Sequence, residues 1–168
     1  LQKTALQKRF LVLVNEHQGI IHKVCHLYGD TPTERQDLFQ EIVLQLWKAF
    51  PNYRGEAQIS TWMYRVALNT AITSFRKAKR WTLWKTTSIQ DTTELSYTPQ
   101  YPEEDERYTQ MMAAIKQLNK IDKAIITLFL EGKKYEEIAE ILGTTNGNVR
   151  VKMTRIKTKL RNMIKPKK

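Results

Sequence analysis

Nine Lys/Arg and no Asp or Glu lie between Thr145 and the C-terminal Lys168, and the chemistry open to such a run is the neutralisation of phosphate. A duplex carries a high line density of negative charge, and cations that displace its condensed counterions gain affinity from their release. The run is also periodic. Val149, Met153, Ile156 and Leu160 recur at helical spacing, which predicts one buried stripe. Asn148, Arg150, Val151, Lys152, Thr154 and Arg155 fall off that stripe, near the N-terminal end of the predicted helix. Arg can pair bidentately with guanine, and Lys can reach guanine or phosphate. Lys157, Lys159, Arg161, Lys165, Lys167 and Lys168 lie farther along and suit phosphates or solvent. The competing reading is a solvated basic helix that merely ends a domain.

The preceding segment favours the first reading. In Tyr135-Glu136-Glu137-Ile138-Ala139-Glu140-Ile141-Leu142-Gly143, the residues Ile138, Ala139 and Leu142 supply a facing stripe. Ala139 is small enough for a close helix crossing, and Gly143 can take the left-handed turn between two helices. The pair reads as a helix-turn-helix, a motif whose second helix enters the major groove by its N-terminal end.

Two upstream segments also carry polar chemistry. In Asp37-Leu38-Phe39-Gln40-Glu41-Ile42, a core stripe of Phe39, Ile42, Val43, Leu46 and Phe50 leaves Asp37, Gln40, Glu41, Leu44 and Lys48 on another face. On spacing alone a solvated face is the better reading, with a docking surface for a basic partner as the alternative. The stretch from Tyr53 to Thr70 mixes Trp62, Tyr64, Arg54, Arg65 and Asn69 with an acid-free run behind it. Aromatic rings offer stacking faces for unpaired bases, and Arg tracks a backbone. Trp62 taken alone is more often core than platform. His22, Cys25 and His26 are close on one helix, but three such ligands without a partner cluster are a weak metal signal. No nucleophile–base pair, glycine-rich phosphate loop or paired carboxylates stand out, so the sequence predicts no catalytic residue, no metal and no cofactor.

The elements that must hold these groups are helices. Nothing alternates with period two, so the fold class is all-α. One or two helices run through Leu6, Phe10, Leu13, Val14, Ile20, Ile21, Val24 and Leu27 to about Gly29. A second runs from about Glu34 to Phe50, stopped by Pro51. A third is expected to be capped by Ser60 or Thr61 and to continue toward Phe75. A helix through Met112, Ile115 and Leu118 and another over Ile121–Leu130, ended by Gly132, precede the helix-turn-helix. Charge divides the chain. From Ala57 to Gln90 there is no acid, and from Thr86 to Glu106 there is no base. The second stretch also carries Pro99 and Pro102 without apolar periodicity, and reads as a flexible acidic linker. Two small helical domains are therefore expected at 1–84 and 104–168, joined by a linker at 85–103.

Composition sets the class of partner. The net charge of +11 over 168 residues favours a polyanion. A single cysteine excludes an internal disulfide and suits a reducing cytoplasm. No apolar run approaches the ~20 residues that span a bilayer, so no membrane insertion is expected. No signal-peptide pattern opens the chain, which begins at Leu1 rather than Met and leaves its native start open.

These segments, in this order, resemble the sigma factors of bacterial RNA polymerase, in particular the extracytoplasmic-function (ECF) group. The resemblance rests on Asp37–Glu41, Tyr53-Arg54-Gly55-Glu56, Thr61–Thr70, Tyr135–Ala139 and the helix from Asn146. It implies a first domain that docks on core polymerase through Asp37, Gln40, Glu41 and Leu44. That domain would also read the minus-ten element with Arg54, Gly55, Ile59, Trp62, Tyr64, Arg65, Asn69, Arg76, Lys77 and Arg80, holding a flipped non-template base. It implies a second domain that reads the minus-thirty-five element with Asn148, Arg150, Val151, Lys152, Thr154 and Arg155. The linker would thread the polymerase interior, its charge mimicking nascent RNA. An anti-sigma factor, often membrane-bound, would hold the chain in check.

This chain departs from the family pattern at several places. Lys134 stands where Ser or Thr often caps, Val151 where Ser is frequent, and Ile156 where Ala is. Trp62-Met63 stands where housekeeping members carry a tryptophan pair, which implies weaker melting and stricter promoter demand. Two other functions remain open on the residues alone: a free-standing helix-turn-helix regulator with a dimer surface, and an RNA-binding or nucleotide-processing enzyme built on the aromatic segment.

Overall fold

The computed structural model describes residues 2–81 and 106–164, and all regular structure within them is helical. Helix α1 (Gln2–Tyr28) leaves helical geometry at His17 (φ −116°, ψ 15°), so the one-or-two-helix ambiguity of the sequence resolves as one helix with a kink. Helix α2 (Pro32–Ala49) opens on a full capping box. The Thr31 hydroxyl accepts from Glu34 N–H at 3.2 Å, and the Glu34 carboxylate accepts from Thr31 N–H at 3.3 Å. Pro32 follows the cap, where its missing N–H costs nothing. A short 3-10 turn (Phe50–Asn52) ends the helix at Pro51.

Helix α3 (Ile59–Trp81) starts before Ser60 and Thr61, which therefore lie inside the helix and do not cap it. The earlier start lets Ile59 and Trp62 pack on the core. A cap is worth about 1 kcal/mol, whereas a large apolar side chain is worth about 1.5–3 kcal/mol when fully buried, so two half-buried ones contribute at least as much as the cap. Packing sets this boundary. The core of α1–α3 is built from Ile21, Ile42, Leu46, Met63 and Leu68. The α2 stripe runs through Leu38, Ile42, Leu46 and Phe50. Phe39 and Val43, expected in that stripe, are half-buried at its edge, with Phe39 against the His22 ring (centroids 4.8 Å apart).

The second domain comprises α4 (Glu106–Lys116), α5 (Lys120–Leu130), α6 (Tyr135–Leu142) and α7 (Asn146–Ile164). Asn119 caps α5, its amide oxygen accepting from Asp122 N–H at 2.9 Å. Gly132 (φ 78°) ends the same helix. Val149, Met153, Ile156 and Leu160 form the expected buried stripe of α7, packed with Ile115, Ile125, Leu128, Ile138 and Ile141. The buried Asp122 is neutralised by Lys159 Nζ at 3.1 Å. The expected acidic linker at 85–103 lies outside the described residues.

Candidate nucleic-acid interface

Gly143 places α7 against α6. Its φ of 66° closes the turn, and the N–H of Thr144 returns to the carbonyl of Ala139 at 2.9 Å. At the start of α6, Glu137 accepts from the Lys134 backbone N–H at 2.9 Å. An ammonium cannot accept in return, so the cap is half of the reciprocal pair that Ser or Thr would complete. Thr145 does for α7 what Lys134 cannot do for α6: its hydroxyl accepts from Asn148 N–H at 3.2 Å.

On α7, Asn148, Arg150, Val151, Thr154 and Arg155 are exposed and Lys152 is half-buried. Val151, Thr154 and Arg155 lie opposite the core stripe, and Asn148, Arg150 and Lys152 flank it. Val151, 52% exposed, is an apolar side chain left on a polar face. The Thr154 hydroxyl is turned back to the Arg150 carbonyl at 3.1 Å. Arg150 is held from two sides. Its Nε donates to Asn146 Oδ1 at 2.8 Å, and its guanidinium carbon lies 5.5 Å from the Tyr135 ring centre. The Asn146 amide in turn donates to Glu136. A backbone hydrogen bond at Glu136, and then the Asn146 amide, hold that carboxyl below its usual range.

In the first domain, Asp37, Gln40 and Leu44 are exposed on α2, and Glu41 between them is half-buried, accepting from the Gln45 amide at 2.8 Å. The sequence-derived face is thus intact. The loop before α3 is ordered by Tyr53, whose hydroxyl donates to the Ala57 carbonyl at 2.7 Å. Gly55 takes φ 77°, a conformation suited to glycine. Arg54, Gly55 and Asn69 are exposed. Ile59 and Trp62 are half-buried, with the Trp62 ring tilted against Tyr53 (4.9 Å between centres, 35° between planes). Met63 is fully buried. Arg76, Lys77 and Arg80 lie on the last turns of α3, and their side chains are outside the described residues.

A cleft of about 520 Å³ opens beside this loop, lined by Lys8, Arg9, Val12, Leu13, Tyr53 and Ile59 among others. The contribution of α1 has no sequence signal, because its residues come from 36 or more positions before the loop and join it only through packing. Two site residues face elsewhere. Tyr64 is buried, with its hydroxyl 3.3 Å from Glu131. Arg65 pairs with Glu140 at 3.1 Å. Both acids belong to the second domain, which also accepts the Tyr28 hydroxyl at the Lys120 carbonyl (2.6 Å) and pairs Glu131 with Lys23. His22, Cys25 and His26 do not form a ligand set. Cys25 sits in the core, where burial pushes its thiol up to about 12, and the His26 ring is spent on the His22 carbonyl at 2.9 Å. Among the described residues no helix is long and apolar enough to cross a membrane.

Two helical domains, one ending in a cationic helix-turn-helix, define a DNA-binding protein with a second, separately built polar surface. Residues 13–81 match the family model of sigma-70 region 2, and residues 108–160 that of sigma-70 region 4. The chain belongs to the sigma factors, in their ECF group, and so is a transcription initiation factor rather than an enzyme. It is 28% identical to the ECF RNA polymerase sigma-E factor of Haemophilus influenzae, over 95% of this chain and 89% of that protein. It is 26% identical to RNA polymerase sigma factor SigV of Bacillus subtilis, over 92% and 91%. Among solved structures, the sigma factor RpoE bound to the anti-sigma factor NepR from Bartonella quintana shares the fold. Its TM-score is 0.64 at 16% identity, over 96% of this chain and 98% of that one. CnrH bound to the cytosolic domain of CnrY does so too, at TM-score 0.64 and 19% identity, over 94% and 88%.

Proposed function

We propose that this chain binds core RNA polymerase in the cytoplasm and directs it to promoters by reading two elements. Residues 1–84 dock on polymerase through Asp37, Gln40, Glu41 and Leu44 and engage the minus-ten element. Residues 104–168 read the minus-thirty-five element with Asn148, Arg150, Val151, Lys152, Thr154 and Arg155. Residues 85–103 tether the two. The observation that carries this reading is the α7 face: five of those six residues are exposed together, opposite or flanking a buried stripe.

The minus-ten end captures an unpaired base. Flipping a base costs a few kcal/mol in lost stacking and pairing. The cleft between α1 and the Tyr53–Ile59 loop supports the reading, with Val12, Leu13 and Ile59 in its lining for a base face and Lys8 and Arg9 for phosphate, beside one acid, Glu16. Arg54 belongs to the same loop and Trp62 and Asn69 to the helix that follows it, and Arg76, Lys77 and Arg80 continue the basic run. Val151 donates no hydrogen bond, so its contact is a thymine methyl or a sugar. An anti-sigma factor is the expected regulator, since the sigma factor RpoE of Bartonella quintana is solved with the anti-sigma factor NepR bound.

The docking face gives the test. Asp37→Arg combined with Glu41→Arg is expected to abolish retention of core polymerase by the chain while leaving its helical circular dichroism and melting temperature unchanged. Undiminished retention of core enzyme by the double variant refutes the face.

A further inference from the structure

We infer that Glu136, Asn146 and Tyr135 are positioning residues that fix Arg150 for base reading. This deepens, and rests on, the proposed role of Arg150 at the upstream promoter element. Arg is a long side chain with high rotamer entropy, and ordering it on DNA opposes binding. Here the ordering is done before DNA arrives. Asn146 Oδ1 takes the Nε proton at 2.8 Å, so of the five donors of a guanidinium the four on the two terminal nitrogens remain free. Those four form the fork that matches the two acceptors of a guanine edge. The Tyr135 ring gives the guanidinium a second contact, with the guanidinium carbon 5.5 Å from the ring centre. Tyr135 is itself stacked on Phe129 (5.9 Å, 25° between planes), and Lys157 Nζ lies 4.9 Å from the Phe129 ring centre.

Asn146 is fixed in its turn. Its amide nitrogen donates to Glu136, which orients Oδ1 toward Arg150 and settles which end of the amide faces the arginine. The carboxylate also adds charge: it lies near Arg150 without bonding it, and favours the cation electrostatically. The relay joins the first turn of α6 to the first turn of α7 across the turn that holds them, so the helix-turn-helix angle and the arginine's aim are set together. Glu136 and Tyr135 thereby acquire roles that their place on the helix preceding the recognition helix does not suggest.

The test is promoter discrimination by the full chain bound to core polymerase, read as the ratio of affinity for a selected upstream element to affinity for versions with single base substitutions. Asn146→Ala and Glu136→Ala are each expected to lower that ratio about three- to tenfold at the position Arg150 reads, and Glu136→Gln, which keeps the acceptor, to restore most of it. In an Arg150→Ala background Asn146→Ala should add no further loss. Discrimination unchanged by Asn146→Ala, or lost equally at every position, overturns the relay even where Arg150→Ala is specific. If Arg150→Ala itself weakens all sequences alike, the base-reading role fails and the relay's function with it. The Asn146–Arg150 coupling can then still be read from loss of the Arg150 Nε–H signal protection in the Asn146→Ala chain, and its absence overturns the geometry as well.

Discussion

Cys25 carries the most reactive functional group in the chain and does the least chemistry. It lies 2% exposed in the first core, and burial raises its thiol to about 12. A thiol attacks only as thiolate, so Cys25 is expected to resist an aromatic disulfide reagent at pH 8 and to react within minutes once the chain is unfolded by denaturant. Rapid titration of the folded chain would show that α1 does not pack as described. At this scale the sequence was informative about faces and poor about partners. The spacing of Val149, Met153, Ile156 and Leu160 located the exposed side of α7, because a helical period of 3.6 decides burial and exposure together. It could not show that Arg150 bonds Asn146 or lies over Tyr135, since one contact depends on a rotamer and the other on the crossing of two helices. Lys8 and Arg9 escaped notice for the same reason: nothing in a basic amphipathic start links them to Tyr53 and Ile59. Tyr64 read as an aromatic on a nucleic-acid face, and its burial against the second domain is a tertiary fact.

Helix ends separate what local chemistry controls from what packing controls. The cap of α2 rests on local chemistry alone, because both partners of the reciprocal Thr31–Glu34 hydrogen bonds lie within four residues. Ser60 and Thr61 failed as caps because burying Ile59 and Trp62 drew the helix start outward. Gly143 is the element on which the interface turns. A Cβ there would meet no heavy atom within 4 Å, so the entire cost of Gly143→Ala is that of holding φ 66° with a side chain. That cost is about 1–2 kcal/mol. Denaturant titration of the full chain is expected to show a loss of that size, with promoter discrimination falling if the turn reopens. No loss of stability would mean that the turn does not require a left-handed residue.

The two domains meet through polar and charged groups: Lys23 with Glu131, Arg65 with Glu140, and the Tyr28 hydroxyl on the Lys120 carbonyl. Exposed ion pairs are worth about 0–1 kcal/mol each, so the charged part of the seam is weak beside either core and sensitive to screening. Raising salt from about 0.1 M to about 1 M shortens the screening length from about 10 Å to about 3 Å. Small-angle scattering of the free chain is expected to show a larger radius of gyration at the higher salt, and Glu131→Gln with Glu140→Gln should give the same expansion at the lower. A radius indifferent to both would mean that the seam is held by something other than these charges. The division of the chain was read from the reversal of charge sign along it, whereas the seam was not legible, because its partners are separated by 67 or more residues.

Transcription from a promoter library with purified core polymerase tests the central claim most directly. With this chain added, initiation is expected at a small set of templates that share a pair of upstream elements at fixed spacing, and none without it. Core polymerase that stays silent on every template, or that initiates with no shared elements, would contradict the account.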